Sequence, residues 1–490
     1  MKKLKPIMFV GTCSDVGKSV INTGFCRILL QDGYRPAPFK AQNLSLNSYA
    51  TPEGLEIGRA QATQAEACGI TPHVDMNPVL LKPGGEGMAQ LVLHGKPVDK
   101  LAALDYYRQP SNALLFEEAY AAFRRLAKSY APIVLEGAGA IAELNLQQRD
   151  IVNMRMAKRV GADVYLVADI DRGGVFASVY GALMLLPPDE RKLIKGVIIN
   201  KFRGDTRLFA DGRRMIEELC GIPVVGVVPF FTDIYIEDED AVSLDGRNAR
   251  AVDDKVNVAV VQLPHISNFT DFDALEFDER VHLYYSLGKH ELAKADIVIL
   301  PGTKSTIHDL QFIAQRGIPD LLHQLIAQGK SVIGICGGYQ MMGTCIHDPN
   351  QLEGGDKEAN GMGLLPIETT IEVHKKTVQQ EFYFLDNIEL CKGYEIHMGQ
   401  SDIGLVSTPL VKTLDGHFEG TYLNVHCWGT YMHGILDNQV VIDHLLAPYT
   451  NKSGSKLGYS DFKEQSYNRL ADHLRKYINV DAICREAGIG

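Results

Sequence analysis

The stretch GTCSDVGKS at residues 11–19 decides the fold of the first half of the chain. It follows the apolar run Ile7–Val10 and precedes a helical pattern, which is the setting that a phosphate-binding loop requires. Glycines let backbone N–H groups approach phosphate oxygens, and the helix N-terminus adds partial positive charge. A buried strand, such a loop and a helix predict a doubly wound α/β sheet.

The same loop predicts which residues contact a nucleotide triphosphate. Lys18 would reach the β- and γ-phosphates, and the Ser19 hydroxyl would ligate Mg²⁺. Asn200 follows a later apolar strand and could read the purine edge, although an ordinary turn is the alternative. The predicted nucleotide-binding residues are Gly11, Thr12, Gly17, Lys18, Ser19 and Asn200.

Two further apolar runs end in carboxylates. Glu136 follows Ile133–Leu135, and Asp169 follows Val164–Ala168. Because parallel strands place their carboxyl ends at one edge of the sheet, both acids should face the loop. Oxygen ligands suit Mg²⁺, so we expect Ser19 and Glu136 to bind it, with Asp169 as a second candidate. Acids at strand ends also serve as helix caps, which is the alternative.

A second glycine-rich turn, GICGG at residues 334–338, lies in the other half of the chain. It joins the strand-like run Ser331–Ile335 to a helical stretch. Its glycines permit the strained turn that raises a nucleophile above a sheet, and the helix N-terminus favours a thiolate. Cys336 is therefore the predicted nucleophile; a buried structural cysteine is the alternative.

The nucleophile needs a proton carrier and an oxyanion hole. His433, after the segment Tyr422–Cys427, is the predicted carrier, although His397 and His426 lie in similar settings. Backbone N–H groups near Gly302 and Gly337 could stabilise the oxyanion. This arrangement predicts covalent thiol catalysis.

Composition limits the class of protein. The chain has 490 residues, of which 46% are hydrophobic and 22% charged, typical of two or three globular domains. A net charge of −11 argues against binding nucleic acid. Nine cysteines without paired spacing do not indicate disulfides. We see no signal peptide and no apolar run of about 20 residues, so we expect a cytoplasmic protein without a membrane span.

The β/α rhythm is interrupted once. The charged run EDED at 237–240 opens a polar stretch that ends at Asp254, and the apolar strands restart at Val256–Leu263. We predict a phosphate-loop domain at 1–236, a linker at 237–254 and a second domain at 255–490, whose terminal helices pack on it. A charged loop inside one domain is the alternative. The clearest helical stretches of the first domain are Lys18–Leu30 and Leu55–Cys68.

These residues resemble two known families joined in tandem. The loop length and its GKS ending resemble the dethiobiotin-synthetase-like ATPases, and Cys336 with His433 resembles the class I glutamine amidotransferases. The combination is similar to the cobyrinate-amidating enzymes of cobalamin synthesis. The stretches that carry this resemblance across nearly the whole chain are KAQN (40–43), MNPVLLKP (76–83), DIDRGGVF (169–176), NKFRGD (200–205), ISNFTD (266–271) and GYEIH (393–397).

The resemblance implies two doubly wound α/β domains, an N-terminal parallel sheet and a C-terminal mixed sheet. It implies ATP with Mg²⁺, glutamine as nitrogen donor and a corrinoid polycarboxylate as acceptor. Within these enzymes the match is close to the group that amidates the b, d, e and g carboxylates of adenosylcobyrinic acid a,c-diamide to give cobyric acid. Family-shared stretches place Gln42, Asn43 and Asn77 near the acceptor. The oligomeric state is left open.

One departure and three alternatives accompany this resemblance. Most class I amidotransferases carry glutamate two residues after the catalytic histidine, where this chain has Ile435, a gap that the cobyrinate-amidating enzymes share. Glu395 and Asp437 are candidates for orienting His433. The alternatives are a cobyrinic acid a,c-diamide synthase, a non-catalytic nucleotide switch and a dethiobiotin-type ligase. The switch leaves the cysteine turn without a use, and the ligase leaves half the chain unexplained.

Overall fold

Two six-stranded sheets, one in each half of the chain, organise the computed structural model of the protein. The structure describes residues 4–83, 89–98, 112–239, 249–353, 356–403, 408–452, 454 and 458–489. The helices are α1 (Lys18–Gln31), α2 (Arg59–Ala67), α3 (Ala113–Leu126), α4 (Met154–Val160), α5 (Val175–Leu185), α6 (Pro188–Arg191), α7 (Ala210–Cys220), α8 (Asp273–Phe277), α9 (Lys289–Leu292), α10 (Thr306–Ala314), α11 (Ile318–Ala327), α12 (Gly337–Met342), α13 (Gln439–Leu446), α14 (Tyr459–Tyr477) and α15 (Val480–Glu486).

The strands of the first half are β1 (Ile7–Gly11), β2 (Ala37–Phe39), β3 (Gln42–Leu44), β4 (Ser48–Ala50), β5 (Glu56–Gly58), β6 (Val79–Lys82), β7 (Gln90–Leu93), β8 (Lys96–Pro97), β9 (Ile133–Glu136), β10 (Asp163–Asp169), β11 (Ile194–Phe202) and β12 (Val224–Pro229). Those of the second half are β13 (Val256–Val261), β14 (Val281–Ser286), β15 (Ile297–Leu300), β16 (Ser331–Ile335), β17 (Cys345–His347), β18 (Glu358–Asn360), β19 (Ile367–Phe384), β20 (Leu390–Ile403), β21 (Val411–Thr413), β22 (Phe418–Glu419), β23 (Thr421–Asn424) and β24 (Cys427–Thr430).

The first sheet has the order β12-β11-β10-β1-β9-β2, and all its neighbouring strands are parallel. The strands β1, β9 and β10 are buried along their whole length, as their continuous apolar runs predict for a sheet covered on both faces. This confirms the predicted parallel sheet. It also places Gly11, Glu136 and Asp169 at the carboxyl ends of three adjacent strands.

The second sheet has the order β14-β13-β15-β16-β24-β23 and is mixed, because β23 runs antiparallel to β24. Its other pairs are parallel. The mixed sheet that the resemblance implied is thus confirmed. Cys336 follows β16, and Gly302 lies just beyond the neighbouring strand β15.

A long antiparallel ribbon, β19 with β20, extends from a third sheet and reaches the first half of the chain. The Lys375 ammonium donates to Glu56 Oε2 at 2.5 Å, and Gln379 Nε2 donates to the Tyr49 hydroxyl at 2.9 Å. The ion pair is buried and includes Lys82, whose ammonium lies 2.7 Å from Glu56 Oε1. The ribbon therefore joins the two halves.

The terminal helices do not pack where we predicted. We expected them on the second domain, but Leu470 and Leu474 of α14 belong to an apolar cluster with Phe25 of α1 and Ile7 of β1. A Cβ atom at Gly24 would lie 2.3 Å from Leu474 Cδ1, so α14 sits directly on α1. The prediction was wrong because an amphipathic helix at the chain end carries no signal for which of two apolar surfaces it covers.

One further boundary differs from the prediction, and the bounds of the linker stay a prediction. Residues 240–248 of the predicted linker lie outside the described residues, but its opening is not a solvated chain. Glu237 forms a buried two-bond ion pair with Arg59, and Glu239 contacts Lys40 at 2.7 Å. The helix predicted from residue 55 begins only at Arg59, because residues 56–58 form strand β5.

Within the part of the chain that the structure describes, none of the helices has both the length and the apolarity needed to cross a lipid bilayer.

Candidate active site

The phosphate-binding loop closes tightly around Asn200. Gly17, the N-cap of α1, has φ +91°, and a Cβ atom there would lie 2.3 Å from Asn200 Nδ2. Only glycine fits both the backbone angle and the space. Asn200 Nδ2 donates to Val16 O at 2.8 Å, so its amide already holds the loop in place. Reading of a purine by Asn200 stays a prediction.

The loop lysine curls over the turn that precedes it. Lys18 Nζ donates to Cys13 O at 3.3 Å and to Gly139 O at 3.2 Å. Burial lowers the pKa of Lys18, and the nearby Glu136 carboxylate acts in the opposite direction. The backbone amide of Thr12 donates to Val167 O at 3.0 Å, which ties the start of the loop to the neighbouring strand. Lys18 also lines the cavity beside the loop together with Gly17 and Ser19, where phosphates would bind.

A cluster of oxygen atoms surrounds the Ser19 hydroxyl. It lies 2.8 Å from Glu136 Oε1 and 2.8 Å from Glu239 Oε2. Lys40 Nζ bridges the same two carboxylates at 2.9 and 2.7 Å, and Gln64 Nε2 donates to Glu136 Oε2 at 2.6 Å. Burial lowers the pKa of Lys40, but the two carboxylates raise it by more than burial lowers it. The pKa of Lys40 is therefore shifted upward overall. The structure thus brings Ser19 and Glu136 together, as expected, and adds Glu239 and Lys40.

Asp169 has a different set of partners. Its carboxylate accepts a hydrogen bond from the backbone amide of Asp171 at 2.8 Å and pairs with Lys201 Nζ at 3.1 Å. Among the described residues its carboxylate contacts none of the Ser19 cluster, because β9 and β10 flank β1 on opposite sides. Its role as a metal ligand stays a prediction.

A cavity of about 850 Å³ opens beside the loop. Gln42 and Asn43, two of the predicted acceptor residues, line it together with Lys18 and Lys40. Asn77, the third predicted acceptor residue, is buried and does not line the cavity. Its side-chain amide donates to Lys40 O and Val79 O and accepts from the backbone amide of Gly58, so it fixes the backbone there. For Asn77 the structure therefore favours a positioning role over substrate contact.

The cysteine turn has the strained geometry that its glycines predict. Cys336 adopts φ 51° and ψ −111° at the N-cap of α12. A Cβ atom at Gly338 would lie 2.0 Å from Leu300 O, so the helix can approach β15 only because this residue is glycine. Such strain at a non-glycine residue is typical of a functional site.

Asp271 orients the histidine. Its Oδ2 atom lies 2.7 Å from His433 Nδ1, and its Oδ1 atom accepts from the backbone amide of Gly434 at 3.0 Å. The imidazole is also hydrogen-bonded to Cys336. Burial lowers the pKa of His433, but its interactions with Asp271 and Cys336 raise it more, to about 10. The three side chains form a Cys–His–Asp arrangement in which the imidazole is protonated at neutral pH.

Neither candidate that we named for orienting His433 does so. Glu395 accepts from His397 Nε2 at 2.9 Å and pairs with Lys376 Nζ at 2.8 Å. Asp437 is buried, and burial raises its pKa to about 7. Asp271 lies 162 residues before His433, and its only signal in the sequence was its place in the family-shared stretch ISNFTD.

Both predicted oxyanion-hole glycines lie beside the triad. A Cβ atom at Gly302 would be 3.3 Å from His433 Cε1, and one at Gly337 would be 2.7 Å from Thr303 Cγ2. Side chains at these positions would crowd the space beside the nucleophile. The structure thus brings Gly302, Gly337, Cys336 and His433 together.

Residues 45–48 connect the two sites. Ser45 Oγ and Asn47 Nδ2 donate to the backbone oxygen of Glu239 at 3.1 and 3.2 Å. The next residue, Ser48, accepts from the Tyr394 hydroxyl at 3.4 Å. The Tyr394 ring stacks on His433, with ring centroids 5.3 Å apart. One short segment therefore contacts the phosphate site on one side and the triad's surroundings on the other.

Comparisons with known proteins assign a family to each half of the chain. The family model of the CobQ/CobB/MinD/ParA nucleotide binding domain matches residues 7–243, and that of the CobB/CobQ-like glutamine amidotransferase domain matches residues 257–441. The chain is 56% identical over 483 residues to a cobyric acid synthase of Phocaeicola vulgatus, covering 98% of this chain and 97% of the relative. It is also 56% identical over 486 residues to one of Parabacteroides distasonis, covering 98% of each.

Proposed function

Because the chain belongs to the cobyric acid synthase family of glutamine-hydrolysing amidotransferases, we propose that it amidates the b, d, e and g carboxylates of adenosylcobyrinic acid a,c-diamide. The observation that carries the proposal is the segment 45–48, which contacts both the phosphate site and the surroundings of the cysteine triad. The segment therefore lies between the two sites at which the proposed half-reactions would take place.

The first half-reaction releases ammonia from glutamine. The Cys336 thiolate attacks the side-chain amide carbon, and N–H groups at Gly302 and Gly337 stabilise the oxyanion. His433, which already carries the proton, donates it to the departing nitrogen, and ammonia leaves. Water then attacks the thioester while His433 accepts a proton, and glutamate is released with the thiolate restored.

The second half-reaction activates the acceptor. A corrinoid carboxylate oxygen attacks the γ-phosphorus of ATP, ADP leaves, and an acyl phosphate forms. Lys18 lies over the loop and would neutralise developing phosphate charge. Ammonia then attacks the acyl carbon, and phosphate leaves as the amide forms.

The donor set at the phosphate site fits Mg²⁺. The Ser19 hydroxyl and the carboxylates of Glu136 and Glu239 converge there, and Mg²⁺ prefers such oxygen ligands. When bound, the ion supplies neutralisation of the phosphate oxygens. Lys40 bridges the two carboxylates and would keep them in place.

The two half-reactions need a protected path for ammonia. Ammonia in neutral water is mostly protonated, and ammonium is not a nucleophile. An enclosed route past Ser48 and Tyr394 would keep it neutral, because these residues lie between the triad and the phosphate site. Equal efficiency with external ammonium and with glutamine at neutral pH would argue against this route.

Mass spectrometry tests the proposed acceptor. The enzyme would be incubated with adenosylcobyrinic acid a,c-diamide, ATP, Mg²⁺ and glutamine. We expect four successive acid-to-amide mass changes in the corrinoid. Conversion of unamidated cobyrinic acid instead would indicate the a,c-diamide synthase reaction, and consumption of ATP and glutamine without any mass change would reject the acceptor.

A further inference from the structure

Four side chains of metal-binding type share one face of the sheet next to helix α12, which follows Cys336. Cys345 and His347 lie two residues apart on β17, so both side chains point to the same face. In the antiparallel pair with β18, Glu358 lies opposite His347. In the parallel pair with β19, Glu368 lies opposite Cys345. Three strands thus contribute to one cluster.

The distances within this cluster match a metal coordination sphere. Cys345 Sγ lies 3.8 Å from His347 Nδ1, and Glu358 Oε2 lies 3.6 Å from the same nitrogen. The three ligand atoms all lie within 4.8 Å of one another. In tetrahedral zinc sites the metal–sulfur distance is about 2.3 Å and the metal–nitrogen distance about 2.0 Å, so neighbouring ligand atoms are about 3.3–3.6 Å apart. The two distances to His347 Nδ1 are within a few tenths of an ångström of these values.

The fourth side chain supports the histidine from behind. Glu368 Oε2 lies 3.5 Å from His347 Nε2, the ring nitrogen that faces away from Cys345 and Glu358. A metal-binding histidine usually donates its other N–H group to a carboxylate, which fixes the tautomer and the ring orientation. Glu368 therefore has the position of an orienting partner rather than of a ligand.

We propose that Cys345, His347 and Glu358 bind one Zn²⁺ ion, with Glu368 orienting the imidazole. Thiolate and imidazole ligands favour zinc over Mg²⁺ and Ca²⁺, which prefer sets made only of oxygen. Water would take the fourth position, because the Glu358 and His347 side chains are partly exposed. Binding replaces the thiol proton with the metal and releases that proton to solvent, so the affinity falls at low pH.

A metal at this site would stabilise the segment that follows helix α12. Backbone amides of Gly361 and Met362 donate to Thr344 O and Met341 O at 2.9 and 2.8 Å, which ties the end of β18 to the end of α12. A metal shared by β17 and β18 would add a second tie beside these bonds. The expected effect is a rise in thermal stability with zinc, while the cluster's four side chains take no part in the proposed glutamine chemistry.

A cobalt titration of the full chain tests the site. The protein would first be dialysed against a chelator and then titrated with Co²⁺, which reports thiolate coordination through a charge-transfer absorption band. We expect the band to saturate at one Co²⁺ per chain. Added Zn²⁺ should displace the Co²⁺ and abolish the band. Cys345→Ser should remove the band, and Cys220→Ser, which changes a half-buried cysteine elsewhere, should leave it unchanged.

A second variant separates an orienting role from simple packing. Glu368→Gln should keep the band but weaken Co²⁺ binding by about 10–100-fold, as is usual when the partner of a metal-bound histidine is lost. Normal glutaminase activity of each variant shows that it is folded. Absence of the band from the unaltered chain, or its persistence in folded Cys345→Ser protein, overturns the proposal.

Discussion

Asp271 is essential to the proposed glutamine chemistry, although its role could not be predicted from the sequence. It binds His433 Nδ1 at 2.7 Å and the backbone of the next residue at 3.0 Å. A carboxylate in this position fixes the imidazole tautomer and stabilises the imidazolium. We therefore place it in the triad with Cys336 and His433.

Asp271→Asn should lower glutamine hydrolysis by about 10³–10⁴-fold, because the amide cannot stabilise the imidazolium. The folded protein raises the pKa of His433 from 6.5 to about 10, so the ion pair persists at neutral pH and is lost as the pH rises through about 10. Without Asp271, the alkaline limb of kcat/KM against pH should move to lower pH.

Asp437→Asn is the matched control for this prediction. Asp437 is a buried carboxyl whose pKa burial raises to about 7, and the carboxylate hydrogen-bonded to His433 Nδ1 is that of Asp271 instead. Its conversion to the neutral amide should change glutamine hydrolysis little. Equal losses in the two variants would remove Asp271 from the triad.

Glu239→Gln should raise the Mg²⁺ concentration needed for half-maximal ATP-dependent activity by about 10–100-fold, as for other losses of a partner around a metal. The reason is that Glu239 Oε2 lies 2.8 Å from the Ser19 hydroxyl and shares Lys40 with Glu136. Asp233→Asn, which changes an exposed carboxylate earlier in the same segment, is the control. An unchanged Mg²⁺ requirement in Glu239→Gln would assign Glu239 to structure alone.

At the level of single residues, local spacing in the sequence predicted the site residues that belong to one motif. The order of strand, loop and helix placed Lys18 and Ser19, and the strand ends placed Glu136. Asp271 and Glu239 could not be found in this way, because only the folded chain brings them to His433 and Ser19 from 162 and 220 residues away. Glu239 also lies in a charged run that is typical of a surface loop.

At the level of elements, the docking of α14 on α1 is the feature that most changes the expected architecture. Leu470 and Leu474 cover Gly24 and pack with Phe25. The chain end thereby returns to the first sheet after passing through the second. Periodicity predicts that such a helix has an apolar face, but the covering surface depends on tertiary structure.

Gly24→Val should destabilise the protein by about 1–3 kcal/mol, because added atoms force the leucines of α14 away from α1. A Cβ atom at Gly24 would already lie 2.3 Å from Leu474 Cδ1. Denaturant unfolding measures the change.

Gly181→Ala is the matched helix-glycine control. A Cβ atom there meets nothing within 4 Å, so alanine should stabilise helix α5 by up to about 1 kcal/mol. A Gly24→Val protein as stable as the unaltered chain would mean that α14 is not docked on α1.

At the level of the whole molecule, the β19–β20 ribbon keeps the two halves in contact. Lys375 inserts its ammonium beside Glu56, where Lys82 also binds. Nothing in the sequence predicted this pairing, because the two partners are 319 residues apart and each lies in an ordinary polar context. The two sheets themselves were predictable, since each follows from buried apolar runs with a β/α rhythm.

Lys375→Met should lower the free energy of unfolding by less than the about 3–5 kcal/mol that a fully broken buried ion pair costs, because Glu56 keeps its contact with Lys82. It should also lower the amount of amide formed per glutamine hydrolysed, because a looser contact between the halves lets ammonia escape. Lys412→Met, which changes the exposed lysine of strand β21, is the control. An unchanged ratio in destabilised Lys375→Met protein would show that the ribbon is not needed to contain ammonia.

Cys336→Ala protein, assayed with glutamine and with ammonium as nitrogen source, separates the two proposed sites. We predict that glutamine-dependent amidation of the corrinoid is abolished, while ammonium-dependent amidation continues at the rate of the unaltered chain, because carboxylate activation takes place at Lys18 and Ser19. Loss of both activities in a folded variant, or survival of the glutamine-dependent one, would contradict the division of the reaction between two sites.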